Sequence, residues 1–222
     1  MAINWQDMKE DDSARMLAEL REQVPELPGG GAIKMRHADL PFYQAHRFYE
    51  ITDTVQAEPK PRYVLYRSGG IPEETFMVDG SPTPIHKVNE LAPLKLSTLN
   101  VAEYVSFFFA CVQGPDGKME VIEKIQPPPH EEVTDVQTVT SFSAIKKIIP
   151  PCVAARIPDG GFRVDAAILF KGCIFKTEID VPASGDMSVV KDEGVFGRAV
   201  LLREGLPSLP TVVAGRICSS TS

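Results

Sequence analysis

Covalent or acid–base chemistry needs a nucleophile, a proton-transfer group or a converging ligand set, and this sequence offers candidates for each. Cys111 and Cys173 are possible nucleophiles, since a thiolate beside a base is reactive. Both stand among apolar residues, in SFFFACV and FKGCIF. Apolar burial raises a thiol pKa, so the expectation is two inert thiols. For general acid or base work the candidates are Asp165, Glu178, Asp180 and His86. A carboxylate desolvated on the concave face of a sheet can act as a base near neutral pH. Here, however, Asp165 alternates with Val164 and Ala166, and Glu178 and Asp180 alternate with Thr177, Ile179 and Val181. That is the pattern of a solvent-facing row.

Zinc requires three or four convergent His, Cys or acidic ligands, and His37, His46, His86 and His130 show no ligand spacing. They read as surface or turn histidines, and no metal is expected. The chain contains no G-x-x-x-x-G-K-[ST], G-x-S-x-G, H-E-x-x-H or EF-hand pattern. Gly29 to Gly31 is followed by Ala32-Ile33-Lys34-Met35 and not by a helix start, so it lacks the context of a phosphate loop. No cofactor is expected.

One asymmetry remains. Tyr43, Tyr49, Tyr63 and Tyr66 are four of the five tyrosines, with Phe42 and Phe48 among them. In strand geometry Tyr43, Arg47 and Tyr49 share one face, while Phe42, His46 and Phe48 share the other. The phenylalanine face suits a core. Tyrosine and arginine are enriched at binding hot spots, which makes Tyr43, Arg47 and Tyr49 the candidate interaction surface, with sheet packing the alternative use of the same rings.

The elements that position these residues follow from pattern. Asn4 to Val24 reads as a helix capped by Asn4, with Asp7 as the capping-box acid and Pro25 as the stop. Phe42 to Thr54, Arg62 to Arg67, Phe76 to Val78, Ile85 to Val88 and Leu94 to Ser97 read as strands. A second helix is predicted from Val101 to Gln113, with Asn100 as cap, Leu99 and Tyr104 as a hydrophobic staple, and Gly114-Pro115 as the stop. Its apolar residues run nearly all round, so it must be covered on more than one side.

Met119 to Ile125 alternates as a strand, whereas Glu131 to Ile149 is ambiguous between strand and helix. From Cys152 the chain reads as an antiparallel meander. Its apolar parity switches from even positions (Phe162 to Phe170) to odd ones (Cys173 to Val181), as a two-residue hairpin at Lys171-Gly172 would produce; a bulge at Gly172 is the alternative.

Composition bounds the rest. The 222 residues are 43% hydrophobic and 24% charged, ordinary for a globular chain, and the net charge of -7 disfavours nucleic acid. Four cysteines without C-x-x-C spacing suggest reduced thiols. With no signal-like start and no apolar run of bilayer length, the expected location is the cytoplasm, with no membrane partner.

Two stretches, EYVSFFFACVQGPDGKMEVIE (Glu103 to Glu123) and AAILFKGCIFKTEIDVPASGDMSVVKDE (Ala166 to Glu193), resemble segments of a bacterial protein family of unknown function. The matching positions are aromatic, apolar and turn residues. The resemblance implies a shared fold and brings no catalytic residue with it.

The expected architecture is α+β: a curved antiparallel sheet, cystatin-like or NTF2-like in shape, packed around the central helix. An N-terminal helix and connector would occupy residues 1–27, a single domain 28–218 and a frayed tail 219–222. The leading functional reading is a non-enzymatic binding or protein-interaction domain, with self-association a further option. The alternative is a small-molecule enzyme or carrier with an apolar pocket between helix and sheet, lined by Tyr104 and Phe108, with Asp165 or His86 as its polar group.

Overall fold

The computed structural model describes residues 3–29, 31–67, 69, 74–92, 94–114, 117–122, 152–171, 173–196, 211–213 and 216–218. The protein is α+β with antiparallel sheets. Its contacts group into two compact units, one up to Leu96 and the other from Ser97 onward.

The N-terminal unit is a five-stranded antiparallel meander: β1 (Gln6–Asp7), β2 (Ile33–Asp39), β3 (His46–Asp53), β4 (Arg62–Arg67) and β5 (Phe76–Val78), in that spatial order. Helix α1 (Glu10–Gln23) follows β1, and α2 (Thr83–Leu91) follows β5. Leu20 of α1, with Val24 and Leu27 beyond it, forms one buried cluster with Met35, Tyr49, Ile51, Val64 and Tyr66 of the sheet. On the sheet's other face the ring of Phe48 stacks on Tyr63 at 5.4 Å, and Trp5 lies 5.3 Å from Phe48. Strand alternation has therefore sorted the aromatic residues onto two faces.

Four segments differ from the sequence pattern. The strand expected from Phe42 begins only at His46, so Phe42 to Ala45 lie outside β3 and Tyr43 does not share a strand face with Arg47 and Tyr49. Helix α1 begins at Glu10 and not at Asn4, because Gln6 and Asp7 pair with His37 and Arg36 and hold the preceding segment extended. Glu10, Asp11 and Asp12 then occupy the first turn, where the helix dipole favours acids. Ile85 to Val88, expected as a strand, lies in α2; Ile85 and Val88 stand three apart and are both buried, a helical spacing. Leu94 to Ser97 forms no strand.

The C-terminal unit holds α3 (Val101–Cys111), then β6 (Gln113–Gly114), β7 (Gly117–Ile122), β8 (Val153–Arg156), β9 (Phe162–Phe170), β10 (Cys173–Val181) and β11 (Ser188–Phe196). The sheet order is β11-β10-β9-β7-β6, with β8 pairing β9 beside its N-terminal half. Strands β12 (Thr211–Val213) and β13 (Arg216–Cys218) form a separate ladder. The parity switch is a hairpin: Phe170 faces Cys173 and the register runs unbroken to Phe162 facing Val181, with Lys171 in the turn at φ 50°. Glu131 to Ile149 and residues 219–222 lie outside the described residues.

Helix α3 packs on β7, β8 and β9. Val101, Tyr104, Val105, Phe107, Phe108, Phe109 and Cys111 are all buried, as a helix apolar nearly all round requires. Its start is not built as the pattern suggests. Asn100 directs its Oδ1 back to the Ser97 amide at 2.7 Å and makes no side-chain cap bond to the helix, and Leu99, expected to staple onto Tyr104, is 87% exposed.

Candidate functional site

The residues singled out by sequence fall into two groups. Tyr43, Arg47 and Tyr49 line one cleft in the N-terminal unit, at the end of the sheet where β2 leads into β3. Its other walls are Met16 of α1, Asp39 of β2, Gln44, Ala45, His46 and Tyr66 of β4, and its volume is about 450 Å³. A second depression, of about 550 Å³, adjoins it and shares Met16, Arg47 and Tyr49.

Arg47 is the centre of this cleft because of strand register. It faces Asp39 across the β2–β3 ladder and Tyr66 across the β3–β4 ladder. Its Nε donates to the Asp39 carboxylate at 2.7 Å, and both side chains are exposed. That pair raises the Arg47 pKa, with a further hydrogen bond between Arg47 and Tyr49. Tyr49 is 3% exposed, and burial pushes its hydroxyl up, partly offset by Arg47. The Tyr43 hydroxyl donates to Asn89 Oδ1 at 2.7 Å, which fixes that ring against α2. The Tyr66 hydroxyl donates to the Glu19 carboxylate of α1, and burial with this carboxylate pushes it up to about 12. The tyrosines therefore form packed walls, and Arg47 and Asp39 form the exposed mouth.

His46 is 4% exposed and stands at the start of β3, not on the surface or in a turn as its spacing suggested. Its Nε2 lies 3.1 Å from the Glu74 carbonyl oxygen, and its ring meets Tyr43 edge-on at 6.2 Å. Burial lowers its pKa, and the nearby Arg67 acts in the same direction. Sequence reading missed His46, Asp39, Tyr66 and Met16 as members of this site. The antiparallel register of β2, β3 and β4 is the signal that places Asp39 and Tyr66 on either side of Arg47.

The second group has three members in the C-terminal unit and one in the N-terminal unit. Tyr104 and Phe108 are fully buried on α3, 6.4 Å apart between ring centres, and the Tyr104 hydroxyl donates to the Gly185 carbonyl at 2.9 Å. Asp165 faces Glu178 across the β9–β10 ladder, on the face opposite buried Val164 and Ala166. There it belongs to a charged row in which Arg163 takes Asp180 bidentately at 2.7 and 2.9 Å and Lys191 lies 3.3 Å from Glu178. His86 is on α2, in the N-terminal unit.

Cys111 is buried, and desolvation pushes its thiol up to about 12. Among the described residues no three His, Cys, Asp or Glu side chains gather as a metal site would need. No described helix is long and apolar enough to cross a membrane. Comparison with protein-family models, with curated proteins and with solved structures finds no match to this chain.

Proposed function

We propose that the protein is a non-enzymatic binding protein and that its N-terminal unit binds through the cleft where Tyr43, Arg47 and Tyr49 meet. The observation that carries this reading is convergence: a strand register brings Arg47, Asp39 and Tyr66 into one row, and Tyr43 and Tyr49 close the same cavity. Its volume of about 450 Å³ falls within the ~300–1,000 Å³ of small-molecule sites, and tyrosine and arginine are residue types that dominate binding energy. A Cys111 thiol pushed up to about 12 is a poor nucleophile at neutral pH, which favours binding over covalent chemistry.

On the same reading the protein works in the cytoplasm, where Cys111 and Cys173 stay as the free thiols they are here. The net charge of -7 argues against a polyphosphate ligand. The stretches that resemble the bacterial family, Glu103 to Glu123 and Ala166 to Glu193, belong to the C-terminal unit, so a fold shared there does not carry the cleft to those proteins.

The test is a ligand-observed NMR screen of a fragment library against the full chain, repeated with Arg47→Ala. Arg47 is exposed, so the variant should stay folded, as circular dichroism would check. Fragments that bind the native protein and are lost in the variant support the reading. An absence of binders, or binders indifferent to Arg47, overturns it.

A further inference from the structure

In the N-terminal unit Glu74 and Thr75 tie together three different elements. The Glu74 carbonyl oxygen lies 3.1 Å from His46 Nε2 at the start of β3, and the Glu74 carboxylate pairs with Arg67 of β4 at 2.5 Å. The Thr75 hydroxyl donates to Gln23 Oε1 of α1. Strand β5 begins directly after this tie, at Phe76. It is an edge strand of three residues, each only partly buried, and such a strand opens at less cost than the buried β3 and β4 beside it.

His46 is the member of the tie that changes charge near neutral pH. The Glu74 carbonyl can only accept, so the neutral ring carries its proton on Nε2 and leaves a lone pair on Nδ1. The residue is 4% exposed, and Nδ1 is buried with no hydrogen-bond partner among the described residues. A second proton would make Nδ1 a buried donor without an acceptor, which the folded interior disfavours.

The neighbouring charges do not offset this. Arg67 stands directly across the β3–β4 ladder, so an imidazolium would face a guanidinium. The Glu74 carboxylate would attract it but is already engaged by Arg67. Tyr43, ahead of β3, meets the ring edge-on at 6.2 Å and gives its hydroxyl proton to Asn89 of α2. Burial, with Arg67 in support, accordingly holds the His46 pKa below the ordinary histidine value, against the bond to the Glu74 carbonyl and the Glu74 charge.

Independently of any ligand in the cleft, we infer that His46 is an acid-sensitive clasp: gaining a proton drives its ring out to solvent, frees Glu74 and Thr75, and lets β5 part from β4 while the rest of the unit stays folded.

Native-state hydrogen exchange of the full chain, followed by NMR at pH 7.5 and 5.5 in low guanidinium chloride and corrected for intrinsic rates, tests this. The amides of Thr75 to Val78 should exchange through an opening that guanidinium barely alters, the sign of little newly exposed surface. The opening constant should rise about tenfold at pH 5.5, because an open ring with the ordinary pKa of about 6.5 is about nine-tenths charged there while the closed ring is neutral. His46→Gln keeps a donor for the Glu74 carbonyl but takes no charge, so its opening constant should be the same at both pH values. In the native protein, which needs no variant to fold, the His46 ring signals and the Glu74 and Thr75 amides should titrate together with one midpoint below pH 6.5. The clasp is overturned if these amides exchange only through denaturant-sensitive global unfolding, or if their opening constant ignores pH. It is equally overturned if His46→Gln keeps the rise, or if the ring titrates while the two amides do not move.

Discussion

The hydroxyl of Tyr66 on β4 donates its hydrogen bond to the carboxylate of Glu19 on α1, joining the helix to the sheet across 47 positions of sequence. The bond has a signature in alkali. Burial and the adjacent carboxylate raise the Tyr66 pKa from about 10 to about 12, so the folded state keeps a proton that the unfolded chain gives up first. Stability from this group is fully present below about pH 10 and is lost as the pH rises through the window up to about 12. Tyr66→Phe should lower stability at pH 7 by about 1 kcal/mol, a value held down because Glu19 is exposed to solvent. It should also flatten the decline between pH 10 and 12. Denaturant midpoints of both proteins across that range check it; parallel declines would mean that Tyr66 is not the group responsible.

The acid side should be governed by His46. Burial and Arg67 of β4 hold its pKa below the ordinary histidine value, against the opposing hydrogen bond to the Glu74 carbonyl and the Glu74 carboxylate. Arg67 and Glu74 are themselves paired at 2.5 Å, so neither is free to offset the imidazolium fully. Above about pH 6.5 the imidazole is neutral in both states and stability is complete. As the pH falls between that value and the lower folded one, the unfolded chain binds more protons and stability declines. His37, lowered by burial and by Arg47, adds in the same direction. Thermal midpoints should therefore fall between pH 7.5 and 5.5, and by less in His46→Gln. An equal fall in both proteins would assign the effect elsewhere.

How much of this was legible in the sequence depended on whether the deciding interaction was local. The hairpin at Lys171-Gly172 was readable because two-residue parity is a property of the chain itself, and the Phe170–Cys173 pairing follows from it directly. The extent of α3 was nearly readable for the same reason. Its start was not, because Asn100 bonds the preceding turn at Ser97 and leaves Leu99 in solvent, a choice between two local partners that spacing does not rank. The first helix failed through a non-local effect: β2 recruits Gln6 and Asp7 into a ladder, and no signal in Asn4 to Val24 announces a partner some 30 residues away. The candidate site shows the same division. Arg47 and Tyr49 were visible as one face of a strand, but Tyr43 lies ahead of that strand, Asp39 and Tyr66 join the site only through the registers of two ladders, and Tyr104, Phe108, Asp165 and His86 were grouped by chemical type without any register to bring them together.

Gly161 should be the least replaceable glycine of the β8–β9 turn. A Cβ there would lie 2.7 Å from the Val181 carbonyl oxygen and 3.0 Å from Pro182 Cα, both backbone atoms at the far end of the β9–β10 ladder. Backbone cannot rotate away as a side chain can, so Gly161→Ala has to displace the end of β10. Its neighbour Gly160 sits at φ +82° with nothing within 4 Å of the added atom, and pays only for its left-handed conformation. Gly160→Ala should cost about 1 kcal/mol and Gly161→Ala about 1–3 kcal/mol, the range for overpacking. Urea denaturation of the two variants compares them, and an equal or reversed order would show that β10 accommodates the methyl group.

The two ends of α3 should respond in opposite ways to mutation. Leu99 has the sequence position of a staple but is exposed, so Leu99→Ser removes little buried area and should leave stability within about 0.5 kcal/mol. Phe108 is fully buried, with Phe109 edge-on at 6.1 Å and Tyr104 at 6.4 Å, so Phe108→Ala leaves a cavity among rings that cannot collapse into it without breaking the Tyr104 bond to Gly185. It should cost about 3–5 kcal/mol, a large part of the total stability of an ordinary chain. Chemical denaturation of both variants distinguishes the cases. A Leu99→Ser loss above about 1 kcal/mol would mean that the staple forms in solution after all, because an exposed leucine has no other means of stabilising the fold.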